Sequence, residues 1–151
     1  MKRSLTYFGV PAVCVLSFMA GLVVSSERDA AQSSAIVPQS QAEKEEFDWG
    51  TLYTYFEGDS FGTRDALTAV AVIKPGQEIH PPHDHSDEEY LMVVSGSGMW
   101  HLNGADSPAQ TGDILYAKPW DVHGIKNTGD TPLTFVVWKW QSKGVGIPAR
   151  P

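Results

Sequence analysis

From Phe47 onward the chain is a succession of short β-branched and aromatic runs, and none of them carries a helical apolar period. The runs cover residues 52–56, 67–73, 89–94, 98–102, 113–117, 122–126 and 133–140. Between them stand Pro75-Gly76, Ser95-Gly96, Asn103-Gly104, Thr111-Gly112 and Gly129-Asp130, pairs that favour turns. Asn103-Gly104 suits a two-residue hairpin with positive φ at both positions. Seven or so strands at this spacing predict an all-β fold: a sandwich, a jelly roll or a small barrel.

A length of 151 residues is enough for one such domain. Its N-terminus has a different character. Lys2-Arg3 precede an uncharged apolar run over residues 7–24, and Val24, Ser25 and Ser26 stand before Glu27-Arg28. Residues 1–26 therefore read as a signal peptide cut near Ser26, or as an N-terminal anchor. At 18 residues the apolar run is at the lower edge of the ~17–25 that span a bilayer. The expected location is periplasmic or extracellular, with tethering to the membrane by residues 7–24 as the alternative. Cys14, the single cysteine, lies inside this run, so the exported chain has no disulfide and no cysteine-based zinc site. Residues 27–46 are rich in Ala, Gln, Ser and Glu and read as a flexible leader. The domain is expected over 47–143, with a Gly/Pro tail at 144–151. Formal charge is -7, which argues against a nucleic-acid partner, because phosphate binding rests on Lys and Arg.

Chemistry is concentrated in the stretch from His80 to Glu89, read His-Pro-Pro-His-Asp-His-Ser-Asp-Glu-Glu. On a strand, His83 and His85 share a face because side chains alternate with period two. Two imidazoles on one face are a natural pair of transition-metal ligands. Glu89 heads the apolar run 90–94, where an unpaired charge is costly to bury and coordination would offset that cost. His123, between Pro119-Trp120-Asp121 and the run around Ile125, is a fourth candidate if the fold returns it to face the others.

Gly76, His83, His85, Glu89 and Gly96 resemble the first motif of the cupin superfamily. Gly112, Pro119, His123 and Asn127 resemble its second. The resemblance covers about residues 66–140 and implies a double-stranded β-helix, or jelly-roll barrel. It also implies one divalent metal (Fe, Mn, Ni or Zn) held by His83, His85, Glu89 and His123. The match departs from the family at two places. Six residues separate Gly76 from His83, one more than usual, and Asp121 stands near the usual second glycine.

A 3-His-1-Glu sphere implies a metal-dependent enzyme acting on a small sugar, carboxylic acid or phenolic. The alternative is a non-catalytic metal- or sugar-binding module. His80 matches no ligand position and is expected at the pocket rim or behind a ligand. Asp84, Asp87 and Glu88 are expected as rim charges, and Tyr90 and His101 as possible proton donors. Trp100, Trp120, Trp138 and Trp140 are expected in core or dimer packing. Gly96-Ser97-Gly98 is no nucleophile elbow, and there is neither a phosphate-binding loop nor a dinucleotide fingerprint. A homodimer is expected, since closed pairs are the commonest soluble oligomers. The run 133–140, apolar on both faces, suits either its interface or a central strand.

Overall fold

The structure, a computed structural model, describes residues 33–151. The segment read as a signal peptide or anchor, and the leader as far as residue 32, lie outside the described residues. Among the described residues nine strands follow one short 3-10 turn: β1 (Glu43–Phe47), β2 (Gly50–Gly58), β3 (Thr63–Ile73), β4 (Glu88–Ser95), β5 (Ser97–Leu102), β6 (Ala105–Gln110), β7 (Ile114–Ala117), β8 (His123–Lys126) and β9 (Leu133–Ser142). They pair in two sheets, one ordered β1-β2-β3-β9-β4-β7 and the other β6-β5-β8. Every pairing is antiparallel. This is the jelly-roll architecture expected from the sequence.

Each expected run corresponds to a strand, with 113–117 and 122–126 starting one residue before theirs, and two further strands carry no apolar signal. β1 reads Glu-Lys-Glu-Glu-Phe and is exposed throughout. It corrects the flexible-leader reading for residues 43–46, which pair with β2 at the sheet edge. Backbone hydrogen bonds hold it there, and charge on an outermost strand discourages pairing with other chains. β6 contains Pro108, which a central strand would reject, but β6 is also an edge, where the missing N–H is tolerated. Asn103 and Gly104 join β5 to β6 with φ of 49° and 83°, the expected hairpin turn.

Strand alternation builds the core. Ala69, Ala71 and Ile73 of β3, Leu91 and Val93 of β4, and Leu133, Phe135 and Val137 of β9 are buried against Trp100 of β5 and Ile125 of β8. β9 lies between β3 and β4, so its apolar run is a central strand. Of the tryptophans, Trp100 is in the core and Trp138 is on the outer face. Asn127 is fully buried. Its Nδ2 donates to the carbonyls of Ile73 and Thr131, and its Oδ1 accepts from the Gly129 amide. This motif asparagine ties β8 to the end of β3.

Candidate metal centre

His83 and His85 lie on the extended loop between β3 and β4, not on a regular strand as the sequence suggested. His83 nevertheless makes a two-way backbone bridge with His123: its N–H donates to the His123 carbonyl at 3.1 Å and its carbonyl accepts from the His123 N–H at 2.9 Å. Loop and sheet are thus stitched together at the two histidines. The Trp120 amide donates to the His85 carbonyl at 2.8 Å. That bond holds Trp120 at φ 70°, a conformation uncommon for a bulky residue.

Glu89 enters from β4 and is buried. Its Oε2 is 3.0 Å from His85 Nε2, and its Oε1 is 3.3 Å from His123 Nε2. The rings of His83, His85 and His123 converge with centroids 4.9 to 5.2 Å apart. One nitrogen from each lies within 4.8 Å of the others. The expected set, His83, His85, Glu89 and His123, is therefore gathered in one place. The extra residue after Gly76 and the Asp121 departure leave that convergence intact.

Hydrogen bonding decides which nitrogens are free. His123 Nδ1 donates to the Asp121 carbonyl at 2.8 Å, leaving the lone pair on Nε2. That nitrogen is buried and has no hydrogen-bond partner, although it faces a carboxylate oxygen. Two acceptors in this position call for a cation between them, either a proton on His123 or a metal ion. His85 Nδ1 accepts the Asp87 amide at 3.2 Å, so the neutral ring carries its proton on Nε2, toward Glu89. A metal ion at Nε2 would take the place of that proton. Neighbouring ligand atoms with bonds of about 2.1 Å lie roughly 3 Å apart, which matches both Glu89 contacts. The residues fit a metal ion.

Titration follows the same geometry. Burial pushes Glu89 up, but the His123 and His85 rings set against its two oxygens outweigh it and hold the carboxyl at about 2. Burial, then the neighbouring imidazoles of His80, His123 and His85, lowers His83 to about 4. For His123 burial acts downward, and the Glu89 carboxylate and Asp121 carbonyl raise the net value above the ordinary one.

The cluster opens into a cavity of about 210 Å³. Its apolar walls include Leu52, Leu67, Leu91, Phe135 and Val137, and Lys139 completes one side. His80 lines the cavity and packs edge-on against His83, with centroids 4.0 Å apart, as expected for a rim residue. Asp87 corrects the rim-charge expectation: it is buried, accepts from Gln141 at 2.8 Å and pairs with Lys139 at 3.3 Å. Glu88 accepts from the Tyr116 hydroxyl. Neither expected proton donor lines this cavity. Tyr90 is exposed and stacked against Tyr116 and Trp140, and His101 pairs with Asp106. Lys139 was missed because one lysine in an apolar run looks like an exposed strand end; counting inward positions from Phe135 would have found it.

Two antiparallel sheets enclosing a cavity floored by imidazoles and a carboxylate define a double-stranded β-helix protein. Residues 69–139 match the family model of the cupin domain, and this stretch of the chain is a cupin domain. It is similar to an oxalate-binding protein of Thermotoga maritima, 38% identical over 71 residues, which are 46% of this chain and 58% of that protein. It is also similar to a gentisate 1,2-dioxygenase of a Streptomyces species, 30% identical over 82 residues, 54% of this chain and 23% of that enzyme. The chain thus spans under two thirds of the length of either curated relative. Among solved structures, a predicted oxalate decarboxylase from Thermotoga maritima superposes with a TM-score of 0.60 at 25% identity, covering 71% of this chain and 99% of the other.

Proposed function

We propose that this protein is an exported, metal-dependent cupin enzyme that converts a small organic molecule at a centre formed by His83, His85, Glu89 and His123. The observation that carries the reading is the buried Nε2 of His123, which has no hydrogen-bond partner and faces the Glu89 carboxylate at 3.3 Å, at the floor of a cavity. A bound divalent ion (Fe, Mn, Ni or Zn) would supply Lewis-acid polarisation of a carbonyl or carboxylate, or oxygen chemistry in the case of iron. The chain's own residues do the rest. Glu89 holds two imidazoles in place through its two oxygens, the Asp121 carbonyl fixes the His123 tautomer, and leucine and phenylalanine side chains give the cavity apolar walls.

The name of the oxalate-binding relative favours a second reading, a binding module with the same centre and no turnover. The test is metal content by mass spectrometry on residues 27–151 recovered from the exported fraction, beside His85→Ala. Turnover is then assayed on a panel of organic acids, phenolics and sugars. One metal per chain, lost in the variant, with turnover abolished by chelation, supports the enzyme. Saturable binding without conversion supports the module, and a metal-free wild type overturns the centre.

The expected homodimer belongs to the same proposal. The outer face of the six-stranded sheet carries exposed Tyr90, Ile114, Tyr116 and Trp138, which suits a second copy. A monomeric mass by light scattering through the micromolar range removes the dimer.

A further inference from the structure

The inward face of β9 runs Leu133, Phe135, Val137 and then Lys139, since alternate residues of a strand share a face. Lys139 is in register with Glu89 of β4, so its side chain leaves the sheet beside the candidate centre. It is the one lysine or arginine lining the cavity among the described residues, and most of the remaining wall is aliphatic or aromatic. An ammonium in an apolar wall is costly unless paired. Asp87 supplies a partner, at 3.3 Å from Nζ, and Asp87 is itself held by the Gln141 amide. Yet Asp87 is not part of the cavity lining. It pins the ammonium from behind, and an ammonium has three donors.

The other charged wall group, Glu89, is engaged by His85 and His123. In a chain of net charge -7, the cavity thus carries one ammonium with donors beyond the one given to Asp87. At about 210 Å³ it is smaller than the ~300–1,000 Å³ of pockets for drug-sized ligands, which suits a metabolite of a few carbons.

We propose that Lys139 selects the substrate: the ligand is a small carboxylate, held by its anionic end on the Lys139 ammonium with its other end against the His83–His85–His123 cluster. The proposal rests on the reading of this cavity as the active site, and deepens it by naming the substrate class. Asp87 is the resting counter-ion of that ammonium, and its charge competes with the substrate carboxylate.

The test compares malonate and succinate with their neutral amides, malonamide and succinamide, by calorimetry on the full exported chain, with metal content measured on each sample. Lys139→Met is expected to weaken carboxylate binding about tenfold to a hundredfold, the range for losing a charge-assisted hydrogen bond, and to leave amide binding unchanged. Lys139→Arg should restore part of the loss. Asp87→Asn, which keeps the cation and removes its resting partner, should bind carboxylates at least as tightly as wild type. Equal carboxylate affinity in a folded Lys139→Met protein overturns the proposal, as does a loss in Asp87→Asn that matches Lys139→Met. A wild type that holds metal but does not prefer carboxylates to amides overturns Lys139 as anchor and leaves the centre standing. A metal-free wild type overturns the centre, and the carboxylate preference still decides on Lys139.

Discussion

The indole Nε1 of Trp120 donates to the Pro148 carbonyl at 2.7 Å, tying the C-terminal segment to the loop that ends at His123. Two residues later, Arg150 pairs with Asp84, the residue between His83 and His85, while its guanidinium sits 5.8 Å from the Trp120 ring centroid. A segment that composition marks only as a tail thus bridges both loops that bring histidines to the site. Each link is modest, because an exposed ion pair contributes ~0–1 kcal/mol and a hydrogen bond ~0.5–1.5 kcal/mol.

Deleting residues 147–151 should therefore lower stability by about 1–2 kcal/mol, a melting shift of a few degrees. It should also speed metal release to a chelator several-fold, because both ligand loops lose a tether. Trp120→Phe, which keeps the ring and removes the donor, should give about half the effect. A truncated chain that melts and releases metal like the full one would remove the latch.

Proton competition at the centre has a defined sign. In the metal-free protein His123 titrates above its ordinary value and His83 at about 4. Protonated His123 stabilises the metal-free fold below its unfolded value of ~6.5, and this contribution is lost as pH rises through the raised folded value. His83 acts in the opposite sense. The unfolded chain takes its proton first, so stability falls as pH drops from ~6.5 toward about 4. Glu89, held at about 2, contributes stability that is present above its usual ~4.3 and lost as pH falls through that low value.

A metal must displace the His123 proton, since its ligands bind deprotonated. Affinity should fall close to tenfold per pH unit below the His123 value, with His83 adding a further fall only near about 4. Chelator competition across roughly pH 5 to 8 reads this directly. Glu89→Gln should abolish tight binding and flatten the profile, because the carboxylate that raises His123 is gone. A wild-type affinity that does not change with pH would count against His123 as a ligand.

The strands with alternating apolar residues were legible because their burial is written in period two, and the ligand set because its spacings are local. β1 and β6 were not. Glu43–Phe47 and the Pro108 strand are edges, joined to the sheets by backbone hydrogen bonds that any sequence can supply. Asp87 and Lys139 were misread for a related reason. Their meaning comes from cross-strand register, Lys139 opposite Glu89, and register between residues 50 apart has no local signature. The grip of the tail on Asp84 and Trp120 depends likewise on where distant loops end.

Asn127 separates residues that build the barrel from those that serve the site. It is fully buried and makes three hydrogen bonds to backbone groups, none of them to a candidate ligand. Asn127→Ala leaves buried carbonyls and an amide unpaired, at roughly 1–3 kcal/mol for each group left unsatisfied. A loss of about 2–4 kcal/mol in denaturant unfolding is expected, with metal content per folded chain unchanged. A variant that keeps its stability and loses its metal would instead place Asn127 in the site.

Gly96 tests the motif's other invariant demand, that of space. It sits between β4 and β5 at φ 84°, a conformation that costs an L-residue energy. A Cβ there would lie 2.5 Å from the Pro132 carbonyl oxygen and 2.9 Å from Leu133 Cα. Both obstacles are backbone at the start of β9, the central strand that carries Phe135, Val137 and Lys139. Relief therefore requires moving that strand. Gly96→Ala should cost about 1–3 kcal/mol from conformational strain, and more if the clash persists. By contrast, Gly112 also has positive φ, at 95°, but a Cβ there meets nothing within 4 Å, so Gly112→Ala carries the conformational cost alone. Unfolding both variants in urea checks the difference. Equal losses would mean that the turn conformation, and not the approach of Pro132, sets the requirement for glycine at position 96.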